Sequence, residues 1–136
     1  GKSGSRWTDI WATNGTIQTS DRREKINIDS TDLGLDFINK LNPVKFQLKT
    51  DKTTKMRYGL IAQEVNELID ENLFAGTTYD EETDRYGLNY SEFISPLIKS
   101  IQELNKKIEV LENEVSLLKA EKSNDNNSLN KKVENE

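Results

Sequence analysis

The sequence predicts an α+β fold, a small mixed domain of short strands and helices followed by a long C-terminal helix. Three observations predict it. From Leu97 onward the apolar residues follow a heptad: Leu97 (d), Ile101 (a), Leu104 (d), Ile108 (a), Leu111 (d), Val115 (a), Leu118 (d). The spacing alternates four and three without a slip, and a 3.5-residue repeat marks a helix that packs along partner helices. Ahead of it, short apolar stretches switch between strand and helix periods. Turn sequences such as Asn14-Gly15 and Asn42-Pro43 divide them.

Taken in order, residues 6–19 are rich in Trp, Ile and Thr and broken by Asn14-Gly15, which predicts two short strands around a tight turn. Ser30 or Thr31 is placed to cap a helix carrying Leu33, Phe37, Ile38 and Leu41, ended by Asn42-Pro43. Val44, Phe46 and Leu48 alternate with polar residues as in a half-buried strand. After the polar turn Asp51–Lys55, Met56–Ile61 reads as the returning strand, and Ile61, Val65, Leu68 and Ile69 resume helical spacing. Residues 70–85 read as a loop with a weak hairpin, and Tyr86 and Leu88 as one more short strand. Asn89 or Ser91 caps the final helix, with Pro96 interrupting its first turns. From Ser123 to Glu136 the polar composition predicts a disordered tail.

With 136 residues there is room for one domain plus an extension. Apolar residues make up 33% and charged residues 32%. The part ahead of the helix, about 95 residues, therefore buries only a marginal core, and association has to supply the rest. A net charge of −5 argues against a nucleic-acid footprint, which needs a basic stripe. The absence of cysteine excludes disulfides, thiol chemistry and cysteine-bound zinc. The absence of histidine removes the usual general base and the commonest metal ligand. No metal or cofactor is expected. Neither a membrane span nor a signal-peptide hydrophobic stretch is present in the sequence. The start at Gly1-Lys2-Ser3-Gly4-Ser5 reads as a piece cut from a longer polypeptide.

The heptad flanks address chain direction. In a parallel bundle a g residue faces the e residue five positions on in a neighbour. Lys107 then meets Glu112, and Glu114 meets Lys119, both opposite in sign. Each exposed pair contributes about 0–1 kcal/mol, so the pairs argue for orientation and not for stability. Ile or Val at a with Leu at d is the dimer preference.

In a chain without histidine, a reactive serine has few partners, and lysine is the familiar one. Ser20 and Lys25 lie in Thr19-Ser20-Asp21-Arg22-Arg23-Glu24-Lys25. Lysine acts as a base only when its pKa falls from about 10.4 towards neutrality, through desolvation or nearby cations such as Arg22 and Arg23. A five-residue separation puts the pair on different faces of a helix or a strand, so the chain must turn between them or another protomer must supply the lysine. Alone, the segment reads more readily as a serine cap followed by a charged first turn. Other candidates are weaker. Gly1-Lys2-Ser3 lacks the rest of a phosphate loop, and Asp80–Asp84 lacks the glycine and terminal glutamate of an EF-hand. Trp7 and Trp11 share a face and could stack on a sugar, though such a pair is more often buried where chains meet.

The order of the pieces carries more than any one of them. N-G-T-I-Q leads into T-S-D-R-R-E-K, then L-N-P-V-K-F, Y-G-L-I-A-Q-E-V at Tyr58–Val65, and Y-S-E-F-I-S-P-L-I-K-S-I-Q-E-L running into the heptads. Over roughly residues 6–120 this resembles the C-terminal intramolecular chaperone of phage tailspikes, tail fibres and neck appendages, known from endosialidases. The resemblance implies a homotrimeric coiled coil, against the dimer preference of the seam, with the parallel direction that the flanks favour. It implies a chaperone that trimerises, templates an upstream β-stalk of the same polypeptide and cuts itself off between Thr19 and Ser20. The implied catalytic dyad is Ser20 with Lys25, and Asp21 is a possible orienting residue. Residues 1–19 would then be the end of the stalk, 20–96 the chaperone and autoprotease domain, 97–122 the coiled coil and 123–136 the tail. The implied setting is the host cytoplasm during virion assembly, with no nucleic acid or membrane as partner. The rival readings are a trimerisation module in which Ser20 is only a cap, and a carbohydrate-binding tip using Trp7 and Trp11.

Overall fold

The structure, a computed structural model, describes residues 13, 15, 17–69 and 73–133, with side chains as far as Lys131. Short antiparallel strands and helices lead into one long helix, an α+β arrangement. A 3-10 turn, Arg22–Glu24, comes first, then helix α1 (Leu35–Ile38), strands β1 (Val44–Phe46) and β2 (Arg57–Gly59), and helix α2 (Ala62–Leu68). Strands β3 (Thr77–Asp80) and β4 (Arg85–Leu88) follow, then a 3-10 turn (Tyr90–Phe93) running directly into α3 (Ile94–Val133). The strands form two separate hairpins, β1 with β2 in the register Val44↔Gly59, and β3 with β4 in the register Thr77↔Leu88.

The core is built on aromatic rings. Phe37, Val65, Phe74 and Phe93 are buried together, with Leu33, Ile38, Leu41, Leu60, Ile69 and Leu88 packed around them. Phe74 meets Phe93 edge-on at 5.3 Å and Phe37 edge-on at 5.9 Å. Such pairs contribute about 0.5–1.5 kcal/mol beyond area burial. The Tyr90 hydroxyl accepts a hydrogen bond from the Leu60 N–H at 2.9 Å. A side chain at Gly59 would sit 2.5 Å from that oxygen, so the glycine of Tyr58-Gly59-Leu60 is there for close approach.

Helix α3 presents two working faces. Phe93, Pro96 and Ser100 are buried and Glu103 is half-buried, the three-and-four spacing of one stripe against the core. Leu97, Ile101 and Leu104, about a quarter-turn round the helix, are exposed by 45, 58 and 44%. Glu103 reaches back to α1, and its carboxylate accepts the Leu35 N–H at 2.8 Å. Gly34 leaves the space, since a Cβ there would lie 2.6 Å from the Glu103 carboxylate.

That contact explains the first departure from expectation. The helix predicted from a Ser30 or Thr31 cap through Leu41 is only Leu35–Ile38. The Thr31 hydroxyl instead accepts from Leu33 N–H at 3.2 Å, closing a local turn. The first strand is shorter than predicted, leaving Leu48 outside it, and the returning strand omits Met56, Leu60 and Ile61. The weak hairpin proves to be four paired residues on each side. Its turn is closed by Asp80, which accepts from the Glu82 N–H at 3.1 Å and the Thr83 hydroxyl at 2.7 Å. Pro96 does not interrupt α3, because it stands in the first turn, where its missing N–H is not needed.

The polar residues expected to be disordered from Ser123 continue α3 to Val133. Once a helix is nucleated upstream, each further residue adds a bond at little cost. The Ser128 hydroxyl also bonds back to the Asn124 carbonyl at 3.0 Å. The strands predicted around Asn14-Gly15 and the pair Trp7 and Trp11 lie largely outside the described residues; Ile17–Thr19 are in no strand.

Candidate active site

Ser20 and Lys25 meet. The Lys25 ammonium donates to Ser20 Oγ at 2.7 Å. The chain turns between them, as a five-residue separation requires, through the 3-10 turn Arg22–Glu24. Asp21 opens this turn with an extended backbone (φ −67°, ψ 133°) and Lys25 leaves it extended (φ −113°, ψ 143°). The Glu24 N–H donates to the Asp21 carbonyl and the Lys25 N–H to the Arg22 carbonyl, each at 3.2 Å.

Asp21 is the cap. Its Oδ1 accepts the Arg23 N–H at 2.9 Å. The Arg23 guanidinium closes on the same carboxylate, Nε at 3.1 and 3.2 Å from the two oxygens and Nη2 at 2.7 Å from Oδ2. The guanidinium first, and the Arg23 N–H second, hold the Asp21 carboxyl below the usual carboxylate range. The same bond raises Arg23. So the cap sits in Ser20-Asp21, one residue later than a serine cap would be.

The segment lies on the surface. Thr19, Ser20 and Lys25 are exposed, and Ile17, Ile26 and Ile28 stand 95, 85 and 51% exposed beside them. A hydrogen bond of 3.4 Å from the Gln18 amide to the Ser91 hydroxyl ties the stretch before Ser20 to the turn leading into α3. An ammonium that donates to a hydroxyl must lose a proton before it can accept one. The seam residues Leu97, Ile101, Leu104, Ile108, Leu111, Val115 and Leu118 are likewise 44–63% exposed along α3. Among the described residues no helix is long and apolar enough to cross a membrane.

Two contacts are missing from the sequence reading. The Glu103 cap on α1 spans 68 positions and follows no local pattern. The Asp21–Arg23 clamp was within reach, since an aspartate at a cap followed two residues on by arginine brings a fork to a carboxylate.

Comparison with known proteins gives one family match. A search of curated proteins finds no match. Residues 20–73 match the Peptidase_S74 family model, chaperone of endosialidase, and the match opens on Ser20 and runs through α1, β1, β2 and α2. Over these residues the chain is similar to the chaperone-of-endosialidase family, a match consistent with the C-terminal chaperone domain of phage tail proteins.

Proposed function

We propose that this domain is an intramolecular chaperone that trimerises, templates an upstream β-stalk of its own polypeptide and then releases itself by cutting between Thr19 and Ser20. The observation that carries this reading is the 2.7 Å contact between the Lys25 amine and Ser20 Oγ, directly beside the bond to be cut. Lys25, once deprotonated, takes the Ser20 hydroxyl proton while Oγ attacks the Thr19 carbonyl carbon. The tetrahedral intermediate collapses with loss of the Thr19–Ser20 C–N bond, and Lys25 returns the proton to the departing amine. The resulting ester, Thr19 carbonyl on Ser20 Oγ, is hydrolysed by water, leaving a Thr19 carboxylate and a free Ser20 with its new N-terminus.

Coupling folding to cutting has a physical basis. A three-chain β-stalk must close non-local contacts, which is slow and exposes unpaired edges. A C-terminal module that trimerises first sets register and raises effective concentration. The exposed heptad seam supports association, taken as the homotrimer that the resemblance implies in the parallel direction that the flanks favour, and the exposure of Ser20 and Lys25 in a single chain leaves the dyad open to burial on assembly. Cutting then reports completed assembly and leaves the stalk kinetically trapped. The setting of these events is the host cytoplasm during virion assembly.

Intact mass of a chain carrying a longer upstream segment tests the reading. Wild type should yield a product beginning at Ser20, and Ser20→Ala should stay whole. Cleavage of Ser20→Ala at the same bond removes the nucleophile assignment. The rival, a trimerisation module without catalysis, takes its support from the same solvent exposure and predicts that wild type also stays whole.

A further inference from the structure

We propose that Arg23 is a positioning residue for the cleavage step, its guanidinium clamping the Asp21 carboxylate and so holding the turn that brings the Lys25 amine onto Ser20. This rests on the reading of Ser20 and Lys25 as nucleophile and base.

The turn has little else to hold it. A three-residue 3-10 turn gains few backbone bonds, and the two here are long, at 3.2 Å. None of its residues is buried, and Ile26 just beyond it is 85% exposed. Against this, the Asp21 carboxylate collects the Arg23 N–H and three guanidinium contacts between 2.7 and 3.2 Å. A fork on a carboxylate fixes direction as well as distance. Lysine, by contrast, is a flexible four-carbon stem whose reach depends on where its backbone is held. The clamp is thus what fixes the separation of residues 20 and 25.

The same arginine has an electrostatic alternative, as a cation that lowers the basicity of Lys25. The geometry disfavours it, because the guanidinium charge is already paired with Asp21 at 2.7 Å and its field at Lys25 is largely offset. The two roles separate in Arg23→Lys, which keeps the charge and loses the fork.

The test measures cleavage rate against pH in the full chain with its upstream segment, on fractions shown by ultracentrifugation to have assembled as wild type does. Arg23→Lys and Arg23→Ala should lower the plateau rate by about two- to fivefold, the range expected for a lost exposed ion pair, with the midpoint of the pH profile unmoved. Asp21→Asn, which keeps an acceptor for the Arg23 N–H, should lose less than Asp21→Ala. A wild-type plateau in Arg23→Lys, or a midpoint that moves in Arg23→Ala, overturns the positioning role while leaving the dyad standing. Wild type that stays whole, or Ser20→Ala that is cut, overturns the dyad and this inference with it.

Discussion

At Ser20 and Lys25 the residue types were legible in the sequence, but the means by which they meet was not. Helix and strand periods both place the pair apart, and a 3-10 turn of three residues is too short to leave a period. The signal that remained was Asp21 followed by Arg23, which is capping chemistry and not periodicity. Gly59 shows the same limit, since its reason is a tyrosine hydroxyl thirty positions away. At this scale the sharpest expectation concerns the base. Lys25→Arg keeps the charge and cannot give up its proton near neutral pH, so it should abolish cleavage and leave assembly intact. Cutting by Lys25→Arg at the wild-type rate, followed on a gel, would make Lys25 structural.

Among the elements, hydrophobic spacing located β1 and α2, which turn one side to the core, and α3, whose exposed seam carries the heptad. It misjudged α1, whose start is set by Glu103 and not by its own flanks. Glu103→Ala should cost about 0.5–2 kcal/mol in urea unfolding, as for other lost caps. Gly34→Ala should be tolerated better in that background than in wild type, where the carboxylate blocks the methyl. Equal effects in both backgrounds would mean the two residues are uncoupled. The turn between β1 and β2 makes a pH prediction. The Thr53 backbone N–H first, then its side chain, then Arg57 hold the Asp51 carboxyl down at about 2 against an ordinary 3.8. A depressed carboxylate stabilises the fold above its unfolded pKa, and that contribution is lost as pH falls through its folded one. The stability gap between wild type and Asp51→Asn should therefore close between about pH 4 and pH 2. A gap that stays constant across that window would show that the turn does not depend on the Asp51 charge.

For the whole molecule, a marginal core and an exposed heptad seam are two sides of one composition, and both point to association. Ile108 sits mid-seam at an a position. Once buried between chains, Ile108→Ala should cost about 2–5 kcal/mol per chain and shift the assembly towards monomer at low concentration. Cleavage should fall with the assembled fraction, which ultracentrifugation alongside a cleavage time course would follow. Undiminished cutting by a demonstrably monomeric variant would show that the dyad is complete in one chain, and the assembly checkpoint would have to be abandoned.

The two faces of α3 carry a further consequence. Because Phe93, Pro96, Ser100 and Glu103 grip the body while Leu97, Ile101 and Leu104 stand exposed on the same turns, helix and body have a fixed angular phase. One residue inserted between Asn105 and Lys106 would rotate the later seam by about 100° relative to each body, and seven would restore the phase to within about 20°. Both insertions leave the body's grip on the helix untouched. The seven-residue variant should assemble and cut, whereas the one-residue variant should assemble out of phase and stay whole. If the rotated assembly cuts as fast as wild type, the neighbours' bearing on Ser20 is irrelevant to the reaction.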